Sequence, residues 1–146
     1  MICMNDNLND KFFIDSNIIV YAHDETENRK KEIAQDLLFK GIRSQNGTVS
    51  AQVISEFFVT ITQKVKKPLT TAHARHELML LSYLDVIDVD LELAIRATHL
   101  KEEISINYWD GLIVAAAERA GCTVLYSEDM SHGQHYGTVT VQDPFR

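Results

Sequence analysis

Short apolar runs rich in β-branched and aromatic residues recur along this chain, separated by stretches with helical periodicity. That alternation limits the fold more than any single motif. The runs are Phe12-Phe13-Ile14, Thr48-Val49-Ser50, Val86-Ile87-Asp88-Val89, Thr123-Val124-Leu125-Tyr126 and Thr138-Val139-Thr140-Val141. Strands alternating with helices predict an α/β fold built on a mainly parallel central sheet. The first run carries on through Asp15 and Ser16-Asn17 into Ile18 to Tyr21, which reads as the opening turn of a helix.

The intervening stretches supply the helices. Ile33, Leu37 and Leu38 fall on one face of a helix expected to end near Gly41. Ser50 is a good N-cap for a helix striped by Val53, Ile54, Phe57, Phe58 and Ile61. Pro68 ends that helix or starts the loop after it. Thr71 is expected to cap a helix bearing Ala74, Leu78, Leu81 and Leu84, with His73 and His76 on its surface. A further helix is expected from about Leu91 to Glu103. Asn107 then caps one with Leu112, Ile113, Ala116, Ala117 and Ala120 on a single stripe, stopped by Gly121. Met130 to Gly137 reads as a loop over the strand end.

With 146 residues, 45% of them hydrophobic, the chain has the size and composition of one globular domain, expected over 11–146. Residues 1–10 read as a polar leader with no signal-peptide pattern. No apolar segment is long enough to span a membrane, so a soluble, cytoplasmic protein is expected. The net charge of -7 argues against a binder that holds nucleic acid by bulk positive charge. Two basic clusters, Arg29-Lys30-Lys31 and Lys64 with Lys66-Lys67, read as solvated surfaces, with phosphate contact as the sharper alternative. Cys3 and Cys122 match neither a zinc spacing nor a disulfide framework, which fits a reducing compartment.

Asp15 interrupts the first apolar run, and burying a lone carboxylate is costly. It caps the following helix or has a cation to meet. In open α/β sheets ligands gather at the carboxyl ends of the strands. Asp15 and Asp129 fall at such ends, Asp110 in the first turn of its helix, and Glu56 in the second turn of its own, at the border of the apolar stripe. Each acid alone has a bland explanation, as a cap or a surface charge. Together they are carboxylates that share a small site only with raised pKa values or bound cations. Hard oxygen donors without thiolate favour Mg²⁺ or Mn²⁺, ions suited to phosphodiester chemistry.

Four segments, in order, resemble those of PIN-domain nucleases. Phe13-Ile14-Asp15-Ser16-Asn17-Ile18 looks like the opening signature. Ser50-Ala-Gln-Val-Ile-Ser-Glu56-Phe resembles the segment with the second acid, and Tyr108-Trp-Asp110-Gly-Leu-Ile-Val-Ala-Ala-Ala the segment with the third. Leu125-Tyr-Ser-Glu-Asp129-Met-Ser-His-Gly is similar to the ending of VapC-type toxins. The resemblance covers roughly residues 11–146. It implies a three-layer α/β/α fold and a Mg²⁺- or Mn²⁺-dependent endoribonuclease that leaves a 5′-phosphate. It also implies RNA as substrate, a cognate antitoxin and a homodimer. Asp15, Glu56, Asp110 and Asp129 would be the catalytic, metal-binding acids, with Ser127 supporting the fourth and Asn17 orienting Asp15 or touching substrate. Where the family often has a further Asp, two residues after the fourth acid, this chain has Ser131. Glu128 alternates with its neighbours and is expected to point away from the site, the alternative being that it exchanges roles with Asp129.

The alternative from another class is a PIN-like module used only for protein association, which would not need the full acid set. A receiver domain would need an acid pair after the first strand and a late lysine, yet no Lys follows Lys101. A dinucleotide-binding fold would need a Gly-rich turn after the first strand.

Overall fold

In the computed structural model, which describes residues 10–146, the Phe12–Ile14 run forms a three-residue strand, β1, buried along its whole length. After it come α1 (Ser16–Tyr21), α2 (Asn28–Arg43), β2 (Gly47–Ser50), α3 (Ala51–Gln63), α4 (Thr71–Leu81) and β3 (Asp85–Ile87). The chain continues through α5 (Leu91–Ile104), α6 (Tyr108–Arg119), β4 (Val124–Tyr126), β5 (His135–Tyr136) and β6 (Val139–Gln142). The expected leader up to residue 9 and Cys3 lie outside the described residues.

The sheet runs in the order β3-β2-β1-β4-β6-β5. All neighbouring pairs are parallel except β5 with β6. This is the α/β architecture expected from the alternation. From β1 the chain first builds outward through β2 to β3, and only later places β4 on β1's other side. The carboxyl ends of β1 and β4 therefore flank the point where the order reverses, which is where a crevice opens in such sheets.

Several elements differ in detail from expectation. Gly41 does not stop α2, which runs on to Arg43 before Gln45 takes a left-handed backbone. Gly41 is instead a contact point: a Cβ there would lie 2.9 Å from the Cα of Gly47, so only glycine lets α2 approach β2 this closely. The third strand is Asp85–Ile87, one residue earlier than expected, and α4 is capped by Thr70, not Thr71. The 130–137 loop contains the short antiparallel strand β5. The basic trio is not a bare solvated face. Arg29 donates to the carbonyl of Phe145, Lys30 pairs with Glu128 and Lys31 with Glu25. Lys64, Lys66 and Lys67 are exposed.

Capping residues set where several helices start. Ser50 accepts from the Val53 amide and Asp90 from the Leu93 amide, each such cap contributing about 1 kcal/mol. Helix α6 exceeds its predicted stripe, since Gly111 through Ala117 are all buried. Its alanines and Gly111 let it sit tightly against α5, with the Gly111 Cα side facing the Ala97 carbonyl. No described helix is long and apolar enough to cross a membrane.

Candidate active site

The site begins with the backbone of Asp15. Its amide donates to the Tyr126 carbonyl at 3.0 Å, extending the β1–β4 ladder by one step and fixing the side chain at the reversal point. Asp15 also occupies the N-cap of α1, its Oδ1 accepting from the Ser16 amide at 2.7 Å. Capping and site placement are thus compatible, because each uses a different carboxylate oxygen. Oδ2 accepts from the Ser127 hydroxyl at 2.8 Å and the Asn17 amide at 3.1 Å. The residue is only 4% exposed.

Asn17 links the two strand ends. Its Oδ1 accepts from the Glu128 amide at 3.1 Å, which fixes the orientation of the amide group. Its Nδ2 then donates to Asp15 and, at 3.2 Å, to Asp129. Glu56, on α3, accepts from the Ser16 hydroxyl at 2.9 Å and from Gln52 at 2.8 Å. Asp110, on the first turn of α6, is held by Asn107. That cap accepts from the Asp110 amide at 3.0 Å and donates its own amide to the Asp110 carboxylate at 2.6 Å.

Burial pushes the Asp15 carboxyl up to about 6; the hydrogen bonds from Ser127 and Ser16 oppose the rise, while the charges of Glu56 and Asp110 add to it. Burial likewise raises Asp110, with Asn107 opposing and Glu56 and Asp129 adding. The four acids therefore lie in one electrostatic field. Among the described residues none of them is paired with a Lys or Arg. Also among the described residues, no three His, Cys, Asp or Glu side chains stand close enough together to hold an ion as placed. The Asn17 and Ser16 donors lie between carboxylates and carry part of the compensation that a cation would provide.

Glu128 behaves differently from its neighbour Asp129. It turns to Lys30 and to the Tyr21 hydroxyl, at 2.7 Å, and away from the acid group. Burial alone would raise it, but the hydrogen bonds from Lys30 and Tyr21 outweigh that and hold it below the usual carboxylate range.

A family profile described as the PIN domain matches residues 12–134, which contain all four acids. The chain belongs to the PIN domain family. Solved structures share its fold. Mycobacterium tuberculosis VapC20, described as a Sarcin-Ricin loop cleaving toxin, aligns with a TM-score of 0.64 at 16% identity, over 82% of this chain and 90% of that one. A toxin–antitoxin complex from Klebsiella pneumoniae gives 0.66 at 17%, over 92% and 98%. DNA-bound VapBC from Salmonella typhimurium gives 0.65 at 16%, over 92% and 98%. A search of curated proteins returns no significant match.

Four contacts in this PIN domain were not legible in the sequence. Ser16 bonds Glu56, Gln52 bonds both Glu56 and the Trp109 carbonyl, and Asn107 reaches the Asp110 carboxylate as well as its amide. The one available signal was the spacing of Gln52, a helical turn before Glu56, which puts the two side chains side by side. Cys122 is buried, and that burial pushes its thiol up to about 11, with Thr48 opposing the rise, which keeps it protonated near neutrality.

Proposed function

We propose that this PIN domain is a divalent-metal-dependent endoribonuclease and the toxin half of a toxin–antitoxin pair. The observation that carries the reading is Asp15. It is a carboxylate buried at the sheet's reversal point, coupled to Glu56 and Asp110 and bridged through Asn17 to Asp129, with no cationic side chain among the described residues to balance it. Such a donor set is all hard oxygen and suits Mg²⁺ or Mn²⁺. Asp15, Glu56, Asp110 and Asp129 would hold the ion. When bound, it would supply Lewis acidity to the phosphodiester and a lowered pKa for attacking water.

The chain's own residues set the conditions for that chemistry. Ser127 and Ser16 keep the Asp15 oxygens aimed, and Asn17 ties the β1 end to the β4 end. Asn107 orients Asp110 from the opposite side. Ser131 is exposed, and no carboxylate occupies that position. The assembly expected with this function is a cytoplasmic homodimer bound by a cognate antitoxin. Support for the antitoxin comes from the neighbouring structures described as toxin–antitoxin complexes.

The test is cleavage of structured RNA with Mg²⁺ or Mn²⁺ against chelator, for the wild type, Asp15→Asn and Asp110→Asn. Metal-dependent cleavage lost in both variants is expected; equal cleavage in chelator would falsify the metal assignment. Growth arrest on expression, relieved by Asp15→Asn, separates a toxin from a housekeeping nuclease.

A further inference from the structure

An open hollow of about 550 Å³ adjoins the acid group, lined by Ala51, Gln52, Ser55, Val89, Leu112 and Trp109 and sharing Glu56 with it. We infer that this hollow is a nucleobase subsite in which an unpaired base of the RNA stacks on Trp109, next to the phosphodiester bond that lies at the acid group. The inference rests on the ribonuclease reading above and adds to it a substrate-contacting residue and the chemical group that residue recognises.

Three observations converge on it. The first is the indole itself, which is 65% exposed although it lies one residue from a site acid and on the best-buried helix of the fold. It does not dangle. The Tyr108 ring packs beside it at 5.1 Å between centroids, and Gln52 of α3 anchors its carbonyl at 3.1 Å. A pre-positioned, solvent-facing aromatic is what base stacking uses.

The second is Gln52. Its amide nitrogen is committed to two acceptors, Glu56 and the Trp109 carbonyl, so the amide cannot be flipped without losing both bonds. The opposite atom, Oε1, is buried and has no hydrogen-bond partner. A buried acceptor left without a donor is costly. Oε1 is closed off as placed, so a small shift of the Gln52 side chain is needed to open it to the hollow, where the exocyclic amino or ring imino group of a base is a donor of the kind it lacks.

The third is charge. Asp15, Glu56, Asp110 and Asp129 repel the phosphates of any RNA segment that lies across them, and no described cationic side chain offsets this at the site. A nucleotide next to the cleaved bond is therefore better held by its uncharged base than by its backbone, and the apolar walls of the hollow supply that environment.

Trp109 is the only tryptophan in the chain, so its fluorescence reports the subsite directly. The experiment titrates full-length Asp15→Asn protein with a single-stranded oligoribonucleotide and with an abasic ribose-phosphate oligomer of the same length. Quenching by the base-bearing RNA is expected, with the abasic chain binding about tenfold to a hundredfold more weakly and without quenching. In the wild-type background, Trp109→Ala is expected to lower kcat/KM for RNA cleavage by a similar factor, while Trp109→Phe recovers most of it. Equal binding and equal quenching by the abasic chain would overturn the subsite. So would unchanged cleavage by Trp109→Ala, and in that case the nuclease reading survives. RNA that leaves the indole unchanged while a copurifying protein partner buries it assigns the hollow to that partner and overturns the subsite. If no RNA is bound or cleaved, both readings fall together.

Discussion

Glu128 and Asp129 are adjacent in sequence, yet they belong to regions with opposite electrostatic solutions. Glu128 is closed off by its own chain. Lys30 and Tyr21 bond it, the Lys30 ammonium lies 4.6 Å from the Tyr21 ring centre and 5.3 Å from that of Phe145, and its carboxyl stays below the usual range. Asp129 turns the other way, into a group of acids steadied by amide and hydroxyl donors, where Asp15 rises to about 6. One region is complete as it stands, and the other holds charge that its neighbours do not cancel. The difference teaches that acidic residues by themselves do not nominate a site; acids that no described cation balances are the ones that do so here.

The contrast breaks most sharply at Asp15. Asp15→Asn keeps the shape and removes the charge, and RNA cleavage is expected to fall by at least about a hundredfold, measured as single-turnover rate. The same group governs stability when metal is chelated. Its pKa is higher folded than unfolded, so the native state binds the proton more tightly. Its contribution is fully present below about pH 4 and is lost as pH rises through about 6, amounting to about 3 kcal/mol by neutrality. Thermal melts in chelator should show this fall for the wild type and a flatter profile for Asp15→Asn. A wild-type curve that rises across that window would contradict the assignment.

Asn17 is the hinge between the two regions, since it takes the Glu128 amide on one side and gives to Asp15 and Asp129 on the other. Asn17→Ala is expected to cost about tenfold or somewhat more in cleavage rate, through misplaced acids. Restoration by added Mn²⁺ would sharpen that reading. The smallest effect belongs to the satisfied region. Lys30→Met leaves Glu128 with Tyr21 alone and should lower stability by about 1 kcal/mol, read from urea unfolding. Pairing it with Glu128→Gln should return part of the loss, because no unpaired charge then remains.

Much of the molecule was readable from local pattern. Asp15 in an apolar run, Ser50 and Asn107 as caps, and Gly121 with its positive φ all act through their nearest neighbours, so sequence alone places them. What escaped depends on distant partners. Gly41 reads as a stop in isolation, and only the approach of Gly47 reveals its use. Strand β5 has two residues and no apolar run to announce it. Lys30 looks like one more surface cation until Glu128, 98 positions away, comes to meet it. The four acids and Asn17 could be nominated one by one, but the acids' shared field, and the donors from Ser16 and Gln52, exist only after folding.

Helix α6 carries Asp110 on its first turn and then passes through seven consecutive positions closed to solvent. Its alanines act as spacers between α5 and the sheet, so a larger side chain anywhere along them works as a wedge. A methyl group too many at Ala116 or Ala117 would shift the whole rod and change the distance from Asp110 to Asp15 without touching either carboxylate. The alignment of the acids is thus governed by volume in the dry interior as much as by polarity at the rim.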